Sequence, residues 1–188
     1  MKKLIAILLV LVMALSLFAC AGGNDPTEPN NDPSKSENNN TSDTPSENGK
    51  KAAYLDTDAN TGDTILVEIE LGKEKAETVA TNVQSFGYIG NTLIYYFDYT
   101  EGVGTLGAAG SKTTIANASG VQFTEDAVYY VADADAATGN GELRAWDGKT
   151  ETTIAKDVFA FQYKENGKLV YIGKYDVNAG VGDLYYYD

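Results

Sequence analysis

The stretch VYYVADADAATGNGEL, Val128 to Leu143, returns without a gap as LVYIGKYDVNAGVGDL, Leu169 to Leu184, 41 residues further on (169 against 128). A chain that repeats itself at such a period copies one supersecondary unit, because each copy buries its apolar face only against its neighbours. A shorter cousin, Tyr96 to Leu106, precedes these two, and a remnant around Ala53, Tyr54 and Leu55 opens the array.

Inside the copies the apolar residues alternate over short runs. In Thr64-Ile65-Leu66-Val67-Glu68-Ile69-Glu70-Leu71, Ile65, Val67, Ile69 and Leu71 share one face of a strand. No segment keeps a helical period. The last copy predicts a first strand over Leu143 to Trp146, a turn at Asp147-Gly148, a second strand over Thr152 to Ala155 and a third over Val158 to Tyr163. Asn166-Gly167 then turns into the fourth, Leu169 to Tyr175, since Asn-Gly supplies the positive backbone angles of a tight hairpin. Earlier copies place Val79, Ile115 and Ile154 at one position of this cycle, and Tyr96, Tyr130 and Tyr171 at another. Antiparallel four-stranded meanders of about 40 to 45 residues predict an all-β fold of β-propeller-like blades.

The segments GELRAWDG, Gly141 to Gly148, and GDLYYYD, Gly182 to Asp188, resemble the tyrosine-rich β-propeller blades of Gram-positive bacterial surface lipoproteins. That resemblance implies an architecture rather than a chemistry. LGAAGSK, Leu106 to Lys112, departs from it by putting Gly and Ala where aromatic residues are expected. Residues 51–188 are thus expected to form about three and a half blades. The count predicts either a fragment of a longer propeller or a short open or oligomeric array. Its unpaired edges invite self-association.

Met1-Lys2-Lys3, the apolar run from Leu4 to Phe18 and the small Ala19 before Cys20 read as a secretory signal over residues 1–19. Leu17-Phe18-Ala19-Cys20 resembles the bacterial lipobox, which implies acylation of Cys20 and an extracytoplasmic protein lipid-anchored to the bacterial cell membrane. An uncleaved membrane anchor is the alternative, although the run falls short of the roughly 20 apolar residues of a spanning helix. Residues 20–50 hold Pro26, Pro29, Pro33 and Pro45 among polar residues and read as a disordered linker. Removing Lys2 and Lys3 leaves 12 of the 14 basic residues against 27 acidic ones, a net charge of −15. Nucleic acid is therefore no partner.

Chemistry is bounded by absences. The chain has no histidine, Cys20 is its single cysteine and Arg144 its single arginine, so histidine triads, thiol nucleophiles and the usual zinc sites cannot be assembled from it. The expectation is a protein that is not an enzyme: a binding or scaffold domain for a protein, glycan or peptide. The alternative is part of a carboxylate-based glycoside hydrolase whose site lies partly outside this chain. Gly102 to Gly107 matches a dinucleotide fingerprint, but a strand pattern follows where a helix is needed, and the repeat explains its glycines as turn residues. Asp56, Asp58 and Asn60 place oxygen-bearing side chains at alternate positions, as calcium loops do, and related loops hold Asp133 and Asp135, then Asp176. Asp and Asn equally suit turns, by bonding their own backbone. Calcium is the one cofactor under consideration. Trp146 and the paired tyrosines suit stacking on sugars, and also ordinary strand packing.

Overall fold

The computed structural model describes residues 44–45, 50–73, 75–164 and 167–187. The signal segment, Cys20, most of the linker and Asn166 lie outside the described residues. Every described element is a strand: β1 (Thr44–Pro45), β2 (Lys51–Thr57), β3 (Thr64–Glu70), β4 (Ala76–Thr81), β5 (Val83–Ile89), β6 (Thr92–Thr100) and β7 (Val103–Ala108). There follow β8 (Thr114–Phe123), β9 (Val128–Ala132), β10 (Gly141–Trp146), β11 (Glu151–Tyr163), β12 (Leu169–Asp176) and β13 (Val181–Tyr187). Strands β1 to β4 form one sheet and β5 to β13 a second, each in sequence order. Neighbouring strands are antiparallel throughout.

The second and third strands expected in the last copy are one continuous strand, β11. Its first half pairs with β10, from Glu151 opposite Trp146 to Ala155 opposite Leu143, and its second half pairs with β12, from Ala160 opposite Ile172 to Tyr163 opposite Leu169. Strand β8 does the same between β7 and β9. Each long strand is thus the last strand of one repeat and the first of the next. The turning point is a residue in the left-handed region: Asp157 at φ 56° in β11, Asn117 at φ 56° in β8, and Asn82 at φ 55° between β4 and β5. Asn and Asp tolerate that conformation better than other residues with a Cβ.

These pivots divide the described chain into four repeats. The first is β1 to β4, the second runs from β5 to the first half of β8, the third from there to the first half of β11, and the fourth ends with β13. Successive repeats stack face to face. Ala53 and Leu66 of the first pack on Val83, Tyr88 and Leu93 of the second. Ile94, Tyr96 and Leu106 of the second pack on Val128, Tyr130 and Trp146 of the third. Val131 and Leu143 of the third pack on Val158 and Leu169 of the fourth. Both faces of the inner repeats are therefore apolar, and in the first repeat Leu66, on the strand face opposite to Ile65, Val67 and Ile69, is fully buried against the second repeat. Leu71 lies beyond the end of β3 and is 56% exposed.

The register inferred for the tyrosines is off by one. Asp98, Asp133 and Lys174, at φ 50°, 50° and 52°, sit in equivalent irregularities. Counting back from them aligns Tyr95, not Tyr96, with Tyr130 and Tyr171, so Tyr96 matches Val131 and Ile172. Gly104, Gly141 and Gly182 confirm that register. A Cβ on each would come within 2.7 Å of the ring or methyl group of Tyr96, Val131 and Ile172 respectively. A side chain lies directly over the backbone there, and only glycine leaves it room.

Side-chain amides also tie consecutive repeats together. Gln122 donates its Nε2–H to the Phe161 carbonyl at 3.1 Å and accepts the Tyr163 N–H on Oε1 at 2.9 Å. Asn140 donates its Nδ2–H to the Tyr175 carbonyl at 2.9 Å and accepts the Tyr175 N–H at 3.2 Å. Each amide satisfies one donor and one acceptor on the next repeat, which is the full capacity of its planar head toward a single extended strand.

Candidate functional site

Where the first two repeats meet, no such clamp closes the junction among the described residues, and a groove of about 570 Å³ opens. Asp63, Asn82, Gln84, Asp98, Tyr99 and Thr100 line it. A second groove of about 530 Å³ continues from it past Ser85, Tyr96, Gly120 and Gln122, and shares Gln84 and Tyr99 with the first.

Two differences from the junction of the third and fourth repeats mark this opening. The β2–β3 turn runs from Asp58 to Asp63 and is superimposable in its hydrogen bonding on the Asp135 to Asn140 turn: Asp58 N–H to Asp63 O at 2.9 Å and Gly62 N–H to Asp58 O at 2.8 Å, against 2.9 and 2.7 Å. Asp63 therefore stands where Asn140 stands two junctions later. A carboxylate has no N–H to donate, so it cannot reproduce the Asn140 bond to the facing carbonyl. In the fourth repeat Tyr175 stacks on Phe159 with ring centroids 4.1 Å apart. The equivalents in the second repeat are Tyr99 and Gln84, so the Tyr99 ring has no aromatic lid and remains 48% exposed.

Tyr99 is held in place from below. Its ring meets Tyr96 edge-on at 5.8 Å. The Tyr96 hydroxyl donates to the Ala118 carbonyl at 2.8 Å, and burial, with the neighbouring Tyr99, pushes its pKa up to about 12, so it stays a neutral donor. Beside it the Asp98 N–H donates to the Asn82 carbonyl at 3.1 Å and the Asn82 side-chain amide to the Asp98 carboxylate at 3.3 Å, which fastens the pivot to the end of β6. The result is an open polar trough with one accessible aromatic face, flanking amides and hydroxyls, and two carboxylates. Such a surface suits an uncharged or cationic ligand with many hydrogen-bonding groups, and repels anions.

The loop acids singled out by sequence bond to their own turns. The Asp58 carboxylate accepts the N–H groups of Asn60 and Thr61 at 2.7 and 3.2 Å, Asp135 those of Ala137 and Thr138 at 3.0 and 2.9 Å, and Asp176 those of Asn178 and Ala179 at 2.8 and 3.2 Å. Backbone hydrogen bonds hold the Asp58 and Asp135 carboxyls below the usual carboxylate range. Asp56 accepts the N–H of Thr57, and Asp133 lies 3.7 Å from Arg144. Asn60 is exposed in the same turn as Asp58. No group of three or more Asp, Glu or Cys side chains able to hold a metal occurs among the described residues. Cys20 lies outside them.

Arg144 is committed elsewhere. It donates to Glu142 at 2.6 and 3.0 Å and to Glu151 at 2.5 Å. Arg144 and then Lys156 hold the Glu142 carboxyl below its usual range, so it does not offer the protonated acid that glycoside cleavage needs. Opposite Arg144, the Tyr130 hydroxyl is buried without a hydrogen bond of regular geometry, and burial, reinforced by Glu151, raises its pKa strongly.

No protein-family model and no curated sequence matches the chain. Among solved structures it is similar to an acylaminoacyl peptidase in complex with Z-Gly-Gly-Phe-chloromethyl ketone, with a TM-score of 0.50 and 13% identity over 79% of this chain and 31% of that chain. The uncomplexed acylaminoacyl peptidase of Pyrococcus horikoshii aligns with a TM-score of 0.48 and 15% identity over the same shares. At such identity the first likeness speaks for the fold. It corrects the expectation that the chain is not an enzyme, because the fold is one that an enzyme chain carries over about a third of its length. Missing histidine and thiol exclude particular machinery made from this chain's own residues. They do not exclude a domain that belongs to an enzyme.

Asn140→Asp leaves the Tyr175 carbonyl without its donor and is expected to cost about 1–2 kcal/mol, whereas Asp63→Asn supplies the missing donor and is expected to raise the unfolding midpoint. Urea unfolding of both variants reads the two shifts.

Proposed function

We propose that this chain is a lipid-anchored extracytoplasmic binding protein, built as a propeller-like array of about three and a half blades, whose Tyr99 groove recognises a glycan. The observation that carries the reading is the exposed Tyr99 ring between two polar grooves, at the one junction among those compared where an acid replaces the clamping amide. Sugars present apolar C–H faces that stack on an aromatic ring and a rim of hydroxyls that pair with amides and carboxylates. Face-to-face stacking of four-strand repeats through bent strands supports the propeller-like description. The lipobox-like Leu17-Phe18-Ala19-Cys20 and the proline-containing polar segment after it support the anchor and its tether.

The likeness to an acylaminoacyl peptidase favours a second reading, in which the same groove holds a peptide for catalytic groups outside this chain. A glycan array and a peptide array probed with the intact protein separate the two.

Two outcomes are expected. Tyr99→Ala abolishes capture on the glycan array, lowering affinity at least tenfold, while the thermal midpoint stays unchanged because the ring is half in solvent; capture that survives Tyr99→Ala sinks the groove reading. Cys20→Ala moves the protein from the membrane fraction to the soluble one and removes the acyl mass from the intact protein. Retention in the membrane with the signal segment uncleaved would favour the spanning alternative.

A further inference from the structure

Among the described residues, six of the nine exposed large hydrophobic side chains belong to the fourth repeat: Phe159, Val177, Val181, Leu184, Tyr186 and Tyr187. Two of them form a patch. Leu184 lies opposite Ile172 and Tyr186 opposite Val170, so these four side chains share the face of β12 and β13 turned away from the third repeat. A shallow apolar trough of about 210 Å³ runs along that face, bordered by Phe161, Gln162 and Leu184.

The same positions are already an interface one repeat earlier. Val131 and Leu143, equivalent to Ile172 and Leu184, are 3% and 0% exposed because the fourth repeat covers them. Gln122, opposite Tyr129, clamps the next strand; Gln162, opposite Val170, is its equivalent, and its side-chain oxygen accepts from Lys164 at 2.7 Å. The patch is therefore a copy of a surface that this chain uses to receive another repeat.

A matching surface exists at the opposite end. Tyr54 and Ile69 of the first repeat occupy the positions of Tyr130 and Trp146, which are buried at 0% and 2% where the third repeat meets the second. Tyr54 and Ile69 are only half-buried. We propose that two copies of this chain associate head to tail, the fourth repeat of one seated on the first repeat of the other, with Leu184 and Tyr186 against Tyr54 and Ile69. The contact is heterologous, so it produces a ring if the rotation closes and an open chain if it does not. It extends the repeat's own packing and does not depend on the ligand of the Tyr99 groove.

Full-length chains carrying Tyr54→Cys and chains carrying Leu184→Cys test the arrangement with a bismaleimide of about 10 Å span, the spacing of facing sheets. Both sites are at least partly exposed, so neither substitution empties a core position. The mixture is expected to give at least tenfold more covalent dimer than either chain alone or the parent chain with Cys20 only, and Tyr186→Lys in the Leu184→Cys chain is expected to remove that excess. Dimer from Leu184→Cys chains alone would show a symmetric contact and overturn the proposal. A mixture no richer in dimer than the parent would overturn it too.

Discussion

Three residues in a conformation that side chains resist set the shape of this protein. Asn82, Asn117 and Asp157 adopt φ near +55°, and at each the chain leaves the last strand of one repeat and enters the first strand of the next without a loop. The turn is a local backbone event, yet it decides which faces meet. Because pairing passes from one neighbour to the other at that residue, each repeat is rotated onto its predecessor, and the faces that meet become interior. Leu66, Leu143 and Val158, all fully buried, depend on it.

Once the repeats are stacked, small differences between junctions acquire large consequences. Between the third and fourth repeats an amide, an aromatic stack and a leucine cluster close the seam. Between the first and second, Asp63 and Gln84 occupy the matching positions, and a groove opens. The groove thus lies where the contacts that close the third-to-fourth seam give way to a carboxylate and an uncapped tyrosine. Sites that break the local pattern without a structural benefit are where function is expected.

Much of the architecture was legible in the sequence because its signals are local. Alternation and the Asp147-Gly148 turn place strands within a few residues. The pivots were harder to read. Lys156-Asp157 reads as a break between two strand patterns, but the strand continues through a left-handed Asp157, so two expected strands proved to be one, and Lys174 gives no hint of a left-handed backbone, so the tyrosine register slipped by one. The groove was invisible for a related reason. Its residues come from around positions 63, 84 and 99, and their meaning lies in what they replace, Asn140, Phe159 and Tyr175, which can be aligned only after the irregularities at Asp98, Asp133 and Lys174 are known. The loop acids drew attention because alternate oxygens suit an ion; their hydrogen bonds to backbone N–H groups show the other use of that pattern.

The most direct test of the pivots compares two substitutions at the exposed Asn117. Asn117→Gly keeps the left-handed conformation accessible, while Asn117→Val, β-branched, opposes it by about 1–2 kcal/mol or more. The difference in unfolding free energy between these variants is the quantity to measure. The account predicts that the glycine variant matches or exceeds the parent and that the valine variant falls below it by at least that amount. Equal stability of the two would mean that the left-handed residue is incidental and that the stacking of repeats has another cause.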